Sequence, residues 1–381
     1  LKRALELAEG GRGRVSPNPL VGAVVVRDGE AIGEGFHSEL GGLHAERAAL
    51  EDCRARGEDP AGATMYVSLE PCAHQGRQPP CVEAILEAGI AGIVIASDDP
   101  SEKASGRGPG ILRDGGVEVV FAAGEEATAA RRLNQPFRKH ARTGLPLVTL
   151  KFAMSLDGRT TTAPADSPWI SGKASRTLVH RWRAESDAIA VGIGTVLADD
   201  PLLTARDTDL PRQPIRVVFD SRARLALDSR LLATLDVSPV LVVTAPGADP
   251  GRVAALQDAG AEIIVASGST APDRITSALT DLGRRNITTL FLEGGRTLAA
   301  AFLAADVIDE ARTFIAPVLL VDSADTRAGG AVRGPMPEEA SATAGYGGSR
   351  AATGPARLSA LESTTERIGE DTLITARLKE W

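Results

Sequence analysis

Aromatic residues make up only 3% of the 381-residue sequence. Its cores must therefore be filled by Ala, Val, Leu and Ile, which a hydrophobic content of 43% supplies. Cysteine is scarce too. Cys53, Cys72 and Cys81 are too few for a disulfide scaffold, so a cytoplasmic location with thiols free for metal is expected. Basic residues fall short of acidic ones, 42 against 50, for a formal net charge of −8. That deficit argues against general affinity for nucleic acid or an anionic membrane surface, though not against a local basic pocket for a phosphorylated metabolite. No run approaches the roughly 18–20 continuous apolar residues of a membrane span. Residues 1–9 read as a short amphipathic helix without the apolar core of a secretory peptide. There is no initiator Met, so residues upstream of Leu1 are expected.

What is present is an alternation of helical and extended patterns. The 40 glycines and 23 prolines suit a loop-rich α/β enzyme better than a coiled coil or helical repeat. A hairpin is predicted at 21–26 and 31–35, a helix from Leu43 to about Arg56, a strand at 64–69 and a short helix at 82–88. Strands at 93–96 and 117–120 complete the first series. Residues 131–146 are basic and punctuated by Pro136, Gly144 and Pro146, which places a domain boundary near 143 and domains at 1–143 and 144–381. The second series has strands at 147–152, 188–191, 215–219, 240–244, 262–265, 289–292 and 310–315. Its helices fit at 174–184, 251–259, 273–283 and 297–303. Residues 328–358, rich in Ala, Gly, Ser and Pro without apolar period, read as a surface loop before a last strand at 372–378.

Two constellations carry chemistry. His44-Ala45-Glu46 opens a predicted helix, Pro71-Cys72 follows a strand, and Cys81 begins another helix. One imidazole and two thiolates are three zinc ligands with a fourth position open to water, the mark of a catalytic rather than a structural zinc. Zinc brings the pKa of that water toward neutrality, and Glu46 would shuttle its proton to departing ammonia. The pattern is similar to the H-x-E and P-C-x-x-C signature of zinc nucleobase deaminases, except that eight residues separate Cys72 from Cys81. A closed structural zinc would need His74 as a fourth ligand and would leave Glu46 unexplained. The second constellation is a set of polar motifs at strand ends: Lys151-Phe152-Ala153-Met154-Ser155-Leu156-Asp157-Gly158-Arg159, Ser167-Pro168-Trp169, Thr195 to Asp200, and Glu293-Gly294-Gly295-Arg296-Thr297-Leu298. The last is a strand–glycine–helix junction, where free backbone N–H groups can hold a phosphate.

Taken with Ser16-Pro17-Asn18-Pro19-Leu20-Val21-Gly22, Gly33-Glu34-Gly35-Phe36-His37 and the run from Leu69 to Cys81, these motifs resemble one family over nearly the whole chain. It is the family of bifunctional riboflavin-biosynthesis deaminase–reductases, in which the long Cys-to-Cys insertion is usual. The resemblance implies an α/β chain with an N-terminal cytidine-deaminase-like α/β/α sandwich and a C-terminal dihydrofolate-reductase-like domain. It implies zinc on His44, Cys72 and Cys81, Glu46 as the proton shuttle, and a phosphoribosylated diaminopyrimidinone as substrate, contacted by Asn18, His37, Arg77 and Asp99. It implies NADPH held by Ala153, Trp169, Thr195, Asp199, Ser221 and the residues Gly295, Arg296, Thr297, Leu298, Ala299, Ala300 and Ala301. Ser167, Arg183, Leu203, Arg206 and Glu293 would contact the sugar-phosphate substrate, and a homo-oligomer is expected. Two positions depart from the family pattern: Ser101 stands where the family has an asparagine, and Val321 where it has a glycine after the Pro-x-Leu-Leu strand. The rival reading is a deaminase of free nucleosides or of tRNA fused to an unrelated nucleotide-binding module; the acidic balance counts against tRNA.

Overall fold

The computed structural model describes residues 1–76, 78–102, 104, 106–160, 169–210, 212–320 and 359–381. The loop read at 328–358 and the departure at Val321 lie outside them. The chain divides into two compact units. The first comprises Leu1–Lys151, Thr177–Asp309 and Lys379–Trp381, and the second Phe152–Arg176 and Glu310–Leu378.

The first unit holds a five-stranded mixed sheet ordered β2-β1-β3-β4-β5. Its strands are β1 (Gly22–Arg27), β2 (Glu30–Phe36), β3 (Thr64–Val67), β4 (Gly92–Ile95) and β5 (Glu118–Phe121). β1 is antiparallel to both its neighbours, and β3, β4 and β5 run parallel. Strand alternation sends Ala23 and Val25 to one face, where they meet Leu50 and Cys53 of α2 (Ala45–Ala55), Ile85 of α3 (Cys81–Glu87) and Leu112 of α4 (Arg107–Asp114) in one core. On the other face Gly22 lets α1 (Lys2–Ala8) approach, because a Cβ there would sit 2.0 Å from the Ala4 carbonyl oxygen. Helices on both faces make the expected α/β/α sandwich.

Helices α5 (Glu125–Leu133) and α6 (Gln135–Thr143) follow. The sequence reads as broken here, but Pro136 falls in the first turn of α6, where a missing N–H costs the helix nothing. The remaining strands of the first unit are β6 (Leu147–Ser155, which leaves the unit after Lys151), β7 (Ala188–Gly192), β8 (Ile215–Phe219), β9 (Val240–Thr244), β10 (Glu262–Val265) and β11 (Thr289–Leu292). They run parallel in the order β10-β9-β8-β7-β11-β6. Helices α7 (Lys173–Glu185), α8 (Ile193–Asp199), α9 (Pro250–Asp258), α10 (Ala271–Arg284) and α11 (Arg296–Ala304) complete the series. α8 is a helix the sequence pattern did not announce; it begins beside Gly192 and Gly194 and ends on Asp200 at φ 37°. Asp187, buried at the start of β7, accepts hydrogen bonds from Ser16 Oγ at 2.9 Å, Thr288 N at 2.6 Å and Thr289 N at 3.0 Å. The loop before β1 is thereby tied to the parallel sheet.

In the second unit β12 (Glu310–Ala316), β14 (Asp371–Arg377) and β13 (Glu362–Ile368) form an antiparallel ribbon with β14 in the centre. Buried Asp371 accepts from Gly172 N at 2.8 Å and Ser175 Oγ at 2.5 Å. β13 was not foreseen, because six of its seven residues are exposed and it carries no apolar alternation. Among the described residues no helix is long and apolar enough to cross a membrane.

Candidate active sites

His44 is the N-cap of α2, Cys72 lies in the loop after β3, and Cys81 is the first residue of α3. Sequence separation therefore vanishes in space: one ligand atom from each lies within 4.8 Å of the others. His44 Nδ1 is 3.5 Å from Cys72 Sγ and 3.3 Å from Cys81 Sγ. The backbone N–H of Cys81 donates to Cys72 Sγ at 3.4 Å. Hydrogen bonds from Cys81 and then His44, against the opposing effect of burial, bring the Cys72 thiol down to about 4. A thiolate is thus favoured within the trio, and the same bond to Cys72 raises His44 toward its charged form. One imidazole and two sulfurs converging at this spacing fit a tetrahedral zinc with one position left open.

Glu46 is the second residue of α2, two positions beyond His44. It is 3% exposed, and its Oε2 accepts from Cys81 Sγ at 3.3 Å. Burial, followed by the charge on Cys72, pushes its carboxyl up from the ordinary value. His44, Glu46 and Cys72 open onto a cavity of about 530 Å³, whose wall also includes Asn18, His37 and Asp99. His37 Nδ1 meets the Leu43 carbonyl at 2.8 Å, and since a carbonyl only accepts, Nδ1 carries the proton. Its Nε2 is then left to accept from Asn18 Nδ2 at 3.1 Å. Burial lowers His37, which keeps the ring neutral in this pair. Asp99 is raised by burial, and Ser101 N donates to its Oδ1 at 2.8 Å. Arg77 lies outside the described residues. His74, read as a competing ligand, is not in the trio; it lines the cavity with a buried Nδ1 that has no partner among the described residues. Sequence reasoning missed Glu70, whose carboxylate accepts from Gly106 N at 2.8 Å beneath the Asp99 loop, and Asn286, which reaches the same cavity wall from the turn after α10. Glu70 was visible only as an acid wedged between a strand and Pro71; Asn286 gives no local signal.

The reductase residues fall into groups. In the first unit Arg183 Nε and Nη2 donate to Glu293 Oε1 and Oε2 at 2.6 and 3.0 Å, a bidentate pair. Arg183 Nη1 also donates to the Thr204 carbonyl at 3.2 Å, and Arg206 to Thr204 Oγ1 at 3.3 Å. Leu203 is buried at φ 55° in the same segment. Lys151, quoted within a motif but given no role, is half-buried beside Glu293 and Arg183, and desolvation lowers its ammonium. Thr195 on α8 approaches the glycine junction: a Cβ on Gly295 would sit 3.6 Å from Thr195 Oγ1. No side chain caps α11, whose first turns hold Arg296, Thr297, Leu298, Ala299, Ala300 and Ala301, so its leading N–H groups are free for a phosphate. Asp199 ends α8, and Ser221 stands in an exposed turn after β8, not linked to this group. Ala153 and Trp169 belong to the second unit, where the Arg176 guanidinium lies 5.3 Å from the Trp169 ring centre. Ser167 lies outside the described residues.

Comparison with known proteins agrees with both constellations. Residues 1–97 match the family model of the cytidine and deoxycytidylate deaminase zinc-binding region, and residues 146–331 that of the RibD C-terminal domain. The chain is thus a bifunctional enzyme, a zinc-dependent deaminase followed by a reductase. It belongs to the RibD family of riboflavin biosynthesis proteins. The Escherichia coli riboflavin biosynthesis protein RibD is 40% identical over 340 residues, covering 84% of this chain and 87% of its own. The Actinobacillus pleuropneumoniae relative is 39% identical over 320 residues, covering 84% and 83%. The solved structure of Acinetobacter baumannii RibD superposes with a TM-score of 0.79 at 34% identity, covering 100% of this chain and 98% of that one. A diaminohydroxyphosphoribosylaminopyrimidine deaminase/5-amino-6-(5-phosphoribosylamino)uracil reductase from Thermotoga maritima gives 0.78 at 34% identity, covering 99% and 97%. The cofactors are zinc for the deaminase domain and NADPH for the reductase domain.

Proposed function

We propose that the His44–Cys72–Cys81 pocket deaminates 2,5-diamino-6-(5-phosphoribosylamino)pyrimidin-4(3H)-one to 5-amino-6-(5-phosphoribosylamino)uracil. The reductase residues then serve reduction of the ribosyl group, giving 5-amino-6-(5-phosphoribitylamino)uracil. The observation that carries the reading is the convergence of His44, Cys72 and Cys81 within 4.8 Å, with Glu46 buried beside them. Zinc, when bound, supplies a water acidic enough to attack at neutral pH. Glu46 moves the proton: its carboxylate accepts it from the attacking water and returns it to the leaving ammonia. Asn18, His37, Arg77 and Asp99 orient the pyrimidine and its sugar phosphate. In the second reaction NADPH supplies the hydride. Ala153, Trp169, Thr195, Asp199, Ser221 and residues 295–301 bind the dinucleotide, while Ser167, Arg183, Leu203, Arg206 and Glu293 hold the sugar phosphate.

The division into domains at 1–143 and 144–381 is supported by the two matched stretches, 1–97 and 146–331, which fall on either side of it. A cytoplasmic location is supported by three free cysteines, two of them committed to the metal trio. A homo-oligomer is supported by Leu156, Trp169, Leu319 and Leu361, large apolar side chains each 60% or more exposed on the second unit; light scattering after size exclusion measures it. The decisive experiment is incubation with the diaminopyrimidine phosphoribosyl substrate. Without NADPH the zinc-loaded enzyme should release ammonia and stop at the uracil; with NADPH it should oxidise one equivalent per substrate. Zinc-loaded protein that releases no ammonia from this compound overturns the reading.

A further inference from the structure

We propose that Arg138 is a positioning residue for the deaminase pocket: it holds the loop that carries Asp99, and is itself held by the main chain of Trp381. The inference rests on reading the His44–Cys72–Cys81 pocket as the deaminase site.

Arg138 lies on α6, far from the zinc trio in sequence, and is 2% exposed. A guanidinium buried this deeply must satisfy its donors internally. It does so in two directions. Nη1 donates to Ser97 Oγ at 3.1 Å, to the Asp98 carbonyl at 2.9 Å and to Asp98 Oδ1 at 3.1 Å, with Nη2 to Asp98 Oδ2 at 3.4 Å. Nε points the other way and donates to the Trp381 carbonyl at 2.8 Å. A planar fork spans both groups at once; a lysine ammonium on its flexible stem does not.

Each end of this bridge is fixed. Ser97 and Asp98 immediately precede Asp99, which lines the catalytic cavity together with Ser101. Glu70 holds the loop through main-chain groups of Ser97, Asp99 and Gly106, and Arg138 adds the grip on the Ser97 and Asp98 side chains and the Asp98 carbonyl. Trp381 is seated on one face of α6 formed by residues at i, i+3 and i+4. Gln135 exchanges two hydrogen bonds with its main chain, at 2.7 and 3.0 Å. Its indole Nε1 donates to Asp309 Oδ1 at 2.9 Å, and Lys139 Nζ lies 5.2 Å from the ring centre while pairing with Asp309 at 2.5 Å. Residue 381 therefore helps to fix a substrate-facing carboxylate that is 282 positions earlier.

The test uses the full zinc-loaded chain with Arg138→Ala, Arg138→Lys, Asp98→Ala and deletion of Trp381. Arg138→Ala should raise the deaminase KM roughly tenfold or more with kcat changed less than about threefold, because substrate placement is lost and proton transfer is not. Zinc should stay at one per chain, and reductase kinetics on the already deaminated uracil should hold. Arg138→Lys should resemble Arg138→Ala. Deleting Trp381 should shift KM in the same direction, and added to Arg138→Ala it should give no further change, since both act through one group. Should Arg138→Ala not fold, Asp98→Ala, whose side chain is half exposed, and the Trp381 deletion decide the matter. An unchanged deaminase KM in both, or a fall in kcat that tracks zinc loss, overturns the proposal. Wild-type ammonia release is scored separately, so failure of the deaminase reading is not confused with failure of the positioning role.

Discussion

Two carboxylates, Glu46 buried and Glu293 mostly shielded, are driven in opposite directions by their neighbours. Glu46 has burial and a thiolate against it and is raised; Glu293 is also pushed up by burial, but the charges of Arg183 and Lys151 outweigh that and hold it below the ordinary range. The first is poised to trade a proton, the second to stay ionised. Glu46→Gln keeps size and hydrogen bonding but cannot shuttle, so ammonia release should fall by at least about 100-fold with zinc retained; near-normal release with bound zinc by elemental analysis would remove Glu46 from that role. Arg183→Ala should raise the KM of the phosphorylated reductase substrate far more than that of NADPH. It should also change the acid limb of stability. Because Glu293 has a depressed folded value, its contribution is complete above its ordinary value and is lost as pH falls through the depressed one. Removing Arg183 takes away the main charge that depresses it and leaves burial dominant, so the loss of melting temperature on acidification through the ordinary carboxylate range, about pH 4–5, should be smaller in the variant than in the wild type.

Whole elements are placed by glycines as much as by apolar residues. Gly33 and Gly35 on β2 let α2 lie against the strand: a Cβ on Gly35 would come 2.3 Å from Ala49 N and 2.7 Å from the Ala45 carbonyl oxygen. Backbone cannot yield as a side-chain tip can. Gly35→Ala should therefore displace α2 with His44 and Glu46, costing roughly 1–3 kcal/mol and dropping zinc below one per chain while reductase activity persists. Full zinc occupancy and normal deamination would show that the strand can shift instead. Legibility in the sequence follows the same physics. β9 and β11 are buried on both faces and read as apolar runs, and the limits of β8 and of the exposed edge strand β10 also agree with the sequence reading, carried by their Val and Ile residues. β13 is polar and exposed and gave nothing to read. The zinc trio was legible because strand–loop–helix spacing encodes it locally, whereas Arg138, Asn286 and Trp381 act through partners distant in sequence.

At the scale of the molecule the proposed boundary at 143 divides function more cleanly than it divides structure. Lys139 on one side and Asp309 on the other form a pair in which both side chains are 3% exposed or less. A fragment of residues 144–381 should bind NADPH and oxidise it only with the deaminated uracil, and without zinc. Its melting temperature should lie below that of the full chain, because Asp309 and the indole of Trp381 lose their seat on α6. A folded fragment that takes up no NADPH in a fluorescence titration would contradict this. The Asp187–Ser16 bond has a consequence in time. A ribosome makes the deaminase residues first, and domains tend to fold as they emerge. Ser16 must nevertheless wait for residue 187, and Arg138 for residue 381, so the first catalytic pocket to be synthesised is among the last to reach its final shape.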